Sequence, residues 1–363
     1  MKKSLLVSLL VLVSLFASLG SFTNAQDGLP ARADLPEGWT QIATGGDTLC
    51  ATGTDYSFFV HPAESDKLLI YFQGGGACWD GATCTPGGGT AKQEVYSEEA
   101  DIAPGYGMFD FNDPRNPIAD FNVVMVPYCT GDLHIGNADV EYTAEDGSTF
   151  TIHHRGAVNT QAVLNWVYEN YPTPTQLMVT GCSGGAFGSI LNAPFVMEHY
   201  ADLPVMHLAD SGAGVAKDTW PAIGIWNAVD NLPAAYAGLD GVEASQFIEQ
   251  AYIAAGAAFP DDHFAQYATT KDSVLTGFYF LMRGIGWNVA MQQHVDRLEA
   301  EVPNFYSYIA GGDQHCILPL PRFYSYTVDG VNFNDWFTDY INDVDVASVH
   351  CQGDECNTPP NAD

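Results

Sequence analysis

The stretch LMVTGCSGGAFGS, residues 177–189, decides the fold prediction. It starts with a short apolar run typical of a buried strand and ends in residues that continue as a helix. Between the two lies Gly-Cys-Ser-Gly-Gly with Ser183 at its centre. A serine at the crest of a strand-to-helix turn needs small neighbours, because larger side chains would clash there. We therefore predict that Ser183 is a nucleophile; the alternative is a serine in an ordinary glycine-rich loop.

Further short apolar runs along the chain predict the sheet to which this turn belongs. They are apolar throughout rather than alternating, which fits parallel strands buried on both faces. A helical pattern occupies residues 155–171, and Asp146-Gly147 predicts a hairpin turn. We predict one α/β-hydrolase-like domain over residues 26–363, a mostly parallel sheet flanked by helices. The predicted strands are Leu68–Phe72, Val123–Val126, Leu177–Thr180, Val205–Ala209 and Tyr306–Ala310.

Residues 215–264 are rich in alanine and aromatic residues and suggest short helices broken by proline and glycine. An insertion of this kind between core strands predicts a helical lid over the active site. Trp220 and Trp226 are candidates for the substrate pocket. The alternative is that they only pack the lid onto the body of the domain.

A serine nucleophile needs a histidine base and an orienting carboxylate, which follow it along the chain in α/β hydrolases. His315 lies in a loop after the last apolar run, so we predict that it is the base. Asp272 follows the lid, and we prefer it to Asp210, which would then support a turn. Among the rival histidines we assign His134, with Asp132, to the substrate pocket. The others are His153 and His154, which precede the predicted helix, and His263 and His294, which we place in polar helical segments.

The glycines in YFQGGGACWD, residues 71–80, predict an oxyanion hole. They follow a strand early in the chain, as in the glycine-rich loops of esterases. The backbone N–H groups of Gly76 and Ala77 would act with that of Gly184 after the nucleophile. A phosphate-binding loop is the competing interpretation, but the lysine-serine pair of a Walker motif is missing. We expect neither a metal nor an organic cofactor.

Eight cysteines, in a chain whose first 25 residues resemble a secretory signal peptide, predict four disulfides. Cys78–Cys84 and Cys351–Cys356 would close short loops, and the other four cysteines allow three pairings. Cys182 precedes the predicted nucleophile and Cys316 follows the predicted base. If Ser183 and His315 are in contact, these cysteines are near disulfide distance. We therefore predict Cys182–Cys316, which leaves Cys50–Cys129.

The first 25 residues resemble a secretory signal peptide, with two lysines followed by a short apolar core, and cleavage is expected after Ala25. The expected location is therefore secreted or periplasmic. The chain has 44 acidic and 12 basic residues, a formal net charge of -32. Such a surface repels nucleic acid and anionic membranes, so we predict neither as a partner. We expect a monomer that acts on a small-molecule or polysaccharide ester.

Several motifs occur together in one order: GGGACW, YCTGD, GCSGGAFGS, LADSG, KDS and QHC. In this combination the chain resembles the pectin acetylesterase family, which includes the Notum carboxylesterases. The resemblance covers most of the mature chain. It implies removal of acyl groups from hydroxyls by a Ser-His-Asp triad, with Ser183, Asp272 and His315 at the triad positions.

Two departures from the family pattern leave the substrate open. Ala77 stands where the family often has an aromatic residue, which could widen the acyl pocket. The family's usual Ser-Ala-Gly-Gly is Ser-Gly-Gly-Ala from Ser183. The arrangement around the cysteines is also similar to that of tannase and feruloyl esterase-like enzymes. We expect a serine carboxylesterase that removes acyl groups, first of all acetyl, from a carbohydrate. Alternatives are an aromatic ester or polyester hydrolase and a non-catalytic glycan-binding protein.

Overall fold

A nine-stranded sheet lies at the centre of the part of the chain that the structure describes. The structure is a computed structural model describing residues 28–95 and 105–360. The strands of this sheet are β1 (Thr40–Ala43), β2 (Ser57–His61), β3 (Lys67–Phe72), β4 (Asn122–Val126), β7 (Gln176–Cys182), β8 (Val205–Asp210), β9 (His263–Thr269), β10 (Phe305–Ala310) and β13 (Val349–His350). Two small hairpin sheets are formed by β5 (Ala138–Thr143) with β6 (Thr149–His154) and by β11 (Thr327–Val328) with β12 (Val331–Asn332).

The strand order of the large sheet is β1-β2-β4-β3-β7-β8-β9-β10-β13. β2 is antiparallel to both of its neighbours, and every other neighbouring pair is parallel. This confirms the predicted α/β-hydrolase-like fold. Because the carboxyl ends of parallel strands meet at one edge, the loops after β3, β7, β8, β9 and β10 converge there. These loops carry the residues predicted to act in catalysis.

Helices cover both faces of the sheet. They are α1 (Gly156–Asn170), α2 (Gly184–His199), α3 (Ala222–Ile225), α4 (Phe247–Ala258), α5 (Ser273–Leu281), α6 (Trp287–Glu301) and α7 (Phe333–Ile341). The side chains of β3 alternate between two apolar clusters, as the pleat of a strand requires. Ile70 packs in the cluster that contains residues of α1, α2 and α4, whereas Tyr71 packs in the cluster that contains residues of α7.

Local predictions agree with the structure at the hairpin and at the first helix. Thr143 of β5 pairs with Thr149 of β6, which leaves Asp146-Gly147 in the connecting turn. The helix predicted over residues 155–171 is α1. One assignment is wrong: His263 begins strand β9 and is not helical. Apolar and polar residues are mixed in HFAQYAT, so the sequence lacks the continuous apolar run that marked the other buried strands.

The segment predicted as a lid connects β8 to β9 and contains α3 and α4. Its predicted end, residue 264, lies two residues inside β9. The predicted signal peptide, residues 1–25, lies outside the described residues. Within the described ranges, no helix combines the length and apolar character needed to cross a membrane.

The eight cysteines form four disulfides, and the pairs are the predicted ones. Cys78–Cys84 and Cys351–Cys356 close local loops six and five residues apart in sequence. Cys50–Cys129 and Cys182–Cys316 join segments separated by 79 and 134 residues. The two long-range bridges therefore fix loops around the sheet that are distant in sequence.

Candidate active site

Ser183 occupies a strained turn between β7 and α2. Its φ of 58° and ψ of -124° are rare for a residue with a side chain. The Ser183 N–H donates to the carbonyl of Asp210 at 2.9 Å. A Cβ atom at Gly181 would lie 2.4 Å from the carbonyl oxygen of Gly185, and one at Gly185 would lie 2.0 Å from that of Phe72. Glycine is therefore required on both sides of the serine, as expected for a nucleophile elbow.

His315 and Asp272 form a hydrogen-bonded pair at the same edge of the sheet. The Nδ1 of His315 lies 2.8 Å from Oδ2 and 3.0 Å from Oδ1 of Asp272. The carboxylate is fully buried and also accepts the N–H groups of Val274 and Leu275, which fixes it at the start of α5. Because Nδ1 donates to the carboxylate, the lone pair of the neutral ring lies on Nε2. This is the tautomer that a general base requires.

The free nitrogen of His315 is buried. Nε2 has no hydrogen-bond partner among the described residues, Ser183 included. The residues beside the two groups, Cys182 and Cys316, are joined by a disulfide with their Cα atoms 5.8 Å apart. Serine and histidine are thereby held on adjacent loops. Hydrogen bonds of catalytic groups are often formed only when substrate is bound.

Asp210 holds the loop that carries His315. It is fully buried at the end of β8. Its Oδ2 accepts the N–H groups of Ile317 and Leu318 at 2.9 and 2.8 Å, and the neighbouring Ser211 hydroxyl accepts the N–H of Cys316 at 2.9 Å. Burial raises the pKa of Asp210 to about 7, although the backbone hydrogen bonds from Ile317 and Leu318 oppose this rise. Asp210 therefore takes the supporting role left open for it, since His315 pairs with Asp272.

The loop predicted to form the oxyanion hole lies against the elbow. Gly76, Ala77 and Gly184 line one cleft together with Ser183. Gly76 has a φ of 76°. A Cβ atom at Gly184 would lie 2.9 Å from the carbonyl oxygen of Gly76. The two segments are thus in close contact beside Ser183, as the predicted oxyanion hole requires.

The cleft at Ser183 is apolar, and the space between its walls is about 700 Å³ when open solvent at the mouth is counted. No charged residue is found among the described residues that line it. Phe187, Leu191 and Ala213 come from the core. The predicted lid contributes Trp220, Ile223, Phe247 and Ile248, and a further wall is formed by Leu275, Phe278, Tyr279, Met282 and Trp287. Such a lining binds a hydrocarbon group better than a polar one.

The structure corrects the placement of His134 and Asp132 in this pocket. Asp132 is fully buried, and its carboxylate accepts the N–H of Gly156 at 2.7 Å, at the start of α1. His134 is 2% exposed, and its Nε2 lies 2.9 Å from the carbonyl oxygen of Gln73. Burial lowers the pKa of His134 to about 4, so the ring is neutral and donates to that carbonyl. The residue between them, Leu133, lines the cleft instead.

The two predicted tryptophans differ in their positions. Trp220 lines the cleft. Trp226 is fully buried behind Trp220, and the centroids of the two indole rings are 5.5 Å apart. The Nε1–H of Trp226 donates to the carbonyl of Cys78 at 2.9 Å. Trp226 therefore packs the lid segment onto the loop predicted to form the oxyanion hole, which was the alternative considered for it.

The wall formed by α5 and the start of α6 was not expected from the sequence. The run SVLTGFYFLM, residues 273–282, is apolar on nearly every side of a helix. A helix of this composition is expected to be covered on all its faces, or to meet something apolar on the exposed one. The apolar composition of residues 273–282 was therefore the sequence signal that could have assigned this helix to the site.

Two clusters of described residues have the composition of a metal site. They are Cys182, His315 and Cys316, and Cys78, Cys84 and His154. In both clusters the two sulfur atoms are joined to each other in a disulfide. Because a metal binds the thiolate form of cysteine, these sulfur atoms are not available as ligands. We assign no metal to either cluster.

One known protein family matches half of this chain. The family model described as Pectinacetylesterase matches residues 38–220. The chain belongs to the pectinacetylesterase family. This confirms the resemblance found in the sequence and supports the predicted enzyme class, a carboxylic ester hydrolase.

Curated relatives of this member of the pectinacetylesterase family are named as palmitoleoyl-protein carboxylesterases. Notum2 of Xenopus laevis is 27% identical over 172 residues, which are 45% of this chain and 34% of the relative. NOTUM of Schmidtea mediterranea is 26% identical over 153 residues, which are 39% of this chain and 27% of the relative. The chain thus matches about a third of the length of these relatives.

A solved structure of the Wnt deacylase Notum from Drosophila has a similar fold. The TM-score is 0.56 at 15% sequence identity, over 84% of this chain and 93% of the Drosophila chain. At this identity the likeness concerns the fold alone.

Proposed function

We propose that this pectinacetylesterase family member is an exported serine carboxylesterase that cleaves esters with an apolar acyl chain. The observation that carries the proposal is the charge-free cleft at Ser183, beside the buried pair of Asp272 and His315. The four disulfides are consistent with an oxidising compartment outside the cell.

The proposed reaction is acyl transfer through an acyl-enzyme. His315 Nε2 takes the proton of the Ser183 hydroxyl as Oγ attacks the ester carbonyl, and Asp272 stabilises the resulting imidazolium. The N–H groups of Gly76, Ala77 and Gly184 stabilise the negative charge on the carbonyl oxygen. The imidazolium then protonates the departing alcohol. Water deprotonated by His315 releases the acid and restores Ser183.

The lining of the cleft favours a hydrocarbon acyl group longer than acetyl. An acetyl group has a single methyl and would contact only a small part of the walls. Each further methylene placed against the apolar lining adds about 0.8 kcal/mol of favourable transfer free energy. Ala77 is small and 5% exposed in the cleft wall, which leaves room beside the nucleophile. The relatives' names, palmitoleoyl-protein carboxylesterases, agree with an apolar acyl group.

A panel of p-nitrophenyl esters with increasing acyl length tests this proposal. We expect kcat/KM to rise at least about tenfold from acetate to hexanoate, because binding energy grows with each buried methylene. Ser183→Ala should lower kcat at least about 10³-fold, while Ser148→Ala, at an exposed serine in the hairpin turn, should match the wild type. A fluorophosphonate probe should modify Ser183. An unlabelled Ser183, or equal rates for wild type and Ser183→Ala, would rule out the mechanism.

Acetyl groups on a carbohydrate remain the second candidate. The family description, Pectinacetylesterase, favours this substrate. Polygalacturonate is itself anionic and would be repelled by a chain of net charge -32, so a neutral acetylated glycan fits better. Acetyl xylan or acetylated glucomannan should therefore be included in the panel. A kcat/KM on either polymer above that on every longer acyl ester would decide for this candidate.

A further inference from the structure

Exposed apolar side chains are concentrated on one segment, residues 274–289, which we call the α5 apex. It comprises most of α5, the turn that follows and the start of α6. Of the eight large apolar side chains that are exposed in the described residues, five lie here. They are Val274, Phe280, Leu281, Ile285 and Val289, with Phe280 70% and Ile285 91% exposed. A cluster of this kind is typical of an interaction surface.

The opposite side of the same segment forms a wall of the cleft at Ser183. Leu275 and Tyr279 are one helical turn apart on α5 and are both buried. Together with Phe278, Met282 and Trp287 they line the cleft at Ser183. Because Phe278 and Met282 line the cleft but are only partly buried, the rim of the cleft and the exposed apolar side chains belong to the same segment.

The turn that presents Ile285 is tightly built. A Cβ atom at Gly284 would lie 2.4 Å from the ring of Tyr279, so the backbone packs directly on that ring. Arg283 and Gly286 have φ values of 68° and 78°, which reverse the chain direction on each side of Ile285. The turn thus projects this side chain from a fixed backbone.

The charge of the α5 apex differs from that of the rest of the protein. No acidic residue occurs between Asp272 and Asp296, a stretch of 23 residues. With 44 acidic residues among 363, the average composition would place two or three there. Within the apex Arg283 is the single basic residue. An uncharged apolar surface can approach this patch without the desolvation of carboxylates that it would meet elsewhere.

We propose that the α5 apex docks the enzyme on the uncharged surface of aggregated ester substrate, such as a droplet. This rests on the proposed function, because only an ester with apolar acyl chains aggregates in this way. Insertion of Phe280 and Ile285 would bury apolar area and place the mouth of the cleft at the droplet surface. The acyl chain would then enter the cleft from the droplet instead of from water.

Flotation with droplets of trioctanoylglycerol tests the docking separately from catalysis. The parent protein is Ser183→Ala, which should bind without consuming the droplets. Phe280→Ser with Ile285→Ser should lower the bound fraction at least about tenfold, because two exposed apolar side chains are lost. Val331→Ser with Val344→Ser removes two exposed valines elsewhere and should match the parent. Vesicles of zwitterionic phosphatidylcholine should bind the parent more weakly than the droplets.

Activity on a dissolved ester separates this proposal from the proposed function. With Ser183 intact, Phe280→Ser with Ile285→Ser should hydrolyse monomeric p-nitrophenyl butyrate within about twofold of wild type, since neither residue lines the cleft. Parent protein that does not float, or a Phe280/Ile285 variant that floats like the parent, would overturn the docking. Equal binding to vesicles would assign the surface to membranes and overturn the proposed occupant. Flotation without hydrolysis of any ester would instead overturn the proposed function alone.

Discussion

At the level of single residues, two buried aspartates position His315 in different ways. Asp272 accepts a hydrogen bond from the imidazole ring, whereas Asp210 accepts N–H groups of the backbone that follows the ring. The sequence offered both residues as partners of the base. The structure distinguishes them because only one carboxylate lies within hydrogen-bond distance of Nδ1.

Asp272→Asn is predicted to abolish most activity without unfolding the protein. An amide can donate to Nδ1 and so favour the tautomer with the proton on Nε2, where it blocks proton transfer from Ser183. We expect kcat to fall roughly 10³–10⁴-fold with little change in KM. The amide oxygen still accepts the N–H groups at the start of α5, so Tm should stay close to that of wild type. Asp313→Asn, at an exposed residue of the same region, serves as the control; a fall of less than about tenfold in Asp272→Asn would contradict the assignment.

Asp210 is predicted to make stability depend on pH. Its pKa is raised by burial from the ordinary value of 3.8 to about 7, so the folded state holds a proton that the unfolded state releases. The associated stability is complete below about pH 4 and is lost as the pH rises to about 7. Relative to Asp210→Asn, the free energy of unfolding of the wild type should fall by up to roughly 1.4 kcal/mol per pH unit in this range. Urea unfolding of both proteins at several pH values measures the difference, and parallel curves would contradict the raised pKa.

At the level of elements, the loops that form the site are joined to neighbouring loops by a disulfide and by close backbone packing. The loops after β7 and β10 are joined by Cys182–Cys316, and a Cβ atom at Gly311 would lie 2.0 Å from the carbonyl of Glu355 in the C-terminal disulfide loop. These connections restrict the distance between Ser183 and His315, the proposed nucleophile and base. Restriction of this kind lowers the entropy cost of reaching a reactive geometry.

Removal of the Cys182–Cys316 disulfide is predicted to reduce both stability and kcat. Cys182→Ala with Cys316→Ala should lower the free energy of unfolding by roughly 2–5 kcal/mol. It should lower kcat in the folded protein as well, because Ser183 and His315 lose their covalent connection. Cys50→Ala with Cys129→Ala removes the other long-range bridge and should lower stability to a similar extent while keeping kcat. Equal effects of the two pairs on kcat would show that the Cys182–Cys316 disulfide has no particular role in positioning.

Most of the strands and the helical segment before β9 were predictable from the sequence, but strand β9 and the wall of the cleft formed by α5 and the start of α6 were not. Strands with continuous apolar runs, the glycines beside Ser183 and the hairpin turn at Asp146-Gly147 each act locally and leave a pattern in the sequence. β9 lacks such a run, and it is a strand because it pairs with β8 and β10. Tertiary pairing overrides weak local preference in such segments.

At the level of the whole molecule, the large negative charge lowers the stability of the folded state. Forty-four acidic residues against twelve basic ones give a net charge of -32, and folding brings these charges closer together. Self-repulsion destabilises the compact state, and salt screens it.

Salt is therefore predicted to stabilise the protein. We expect Tm to rise by at least about 2 °C between about 10 mM and about 300 mM sodium chloride, because the screening length shortens severalfold over that range. Calorimetry or fluorescence-monitored melting gives the measurement. The same salt series near pH 4.2, the isoelectric point of the sequence, is the control, since the net charge is then close to zero and little repulsion is left to screen. A Tm that is flat or falls with added sodium chloride would show that the acidic residues are spaced too widely to repel.

The fold class, the family resemblance, the strand-to-helix turn at Ser183 and the disulfide pairs were predictable from the sequence, because each rests on residues adjacent in the chain or on cysteines beside the predicted catalytic residues. Which side chains meet across the fold depends instead on tertiary packing. Leu133 faces the cleft while its neighbours Asp132 and His134 face the interior, since Leu133 and His134 both have left-handed backbone angles, φ 55° and 63°. Side-chain direction in such a turn follows from backbone angles that packing imposes, and composition alone does not reveal them.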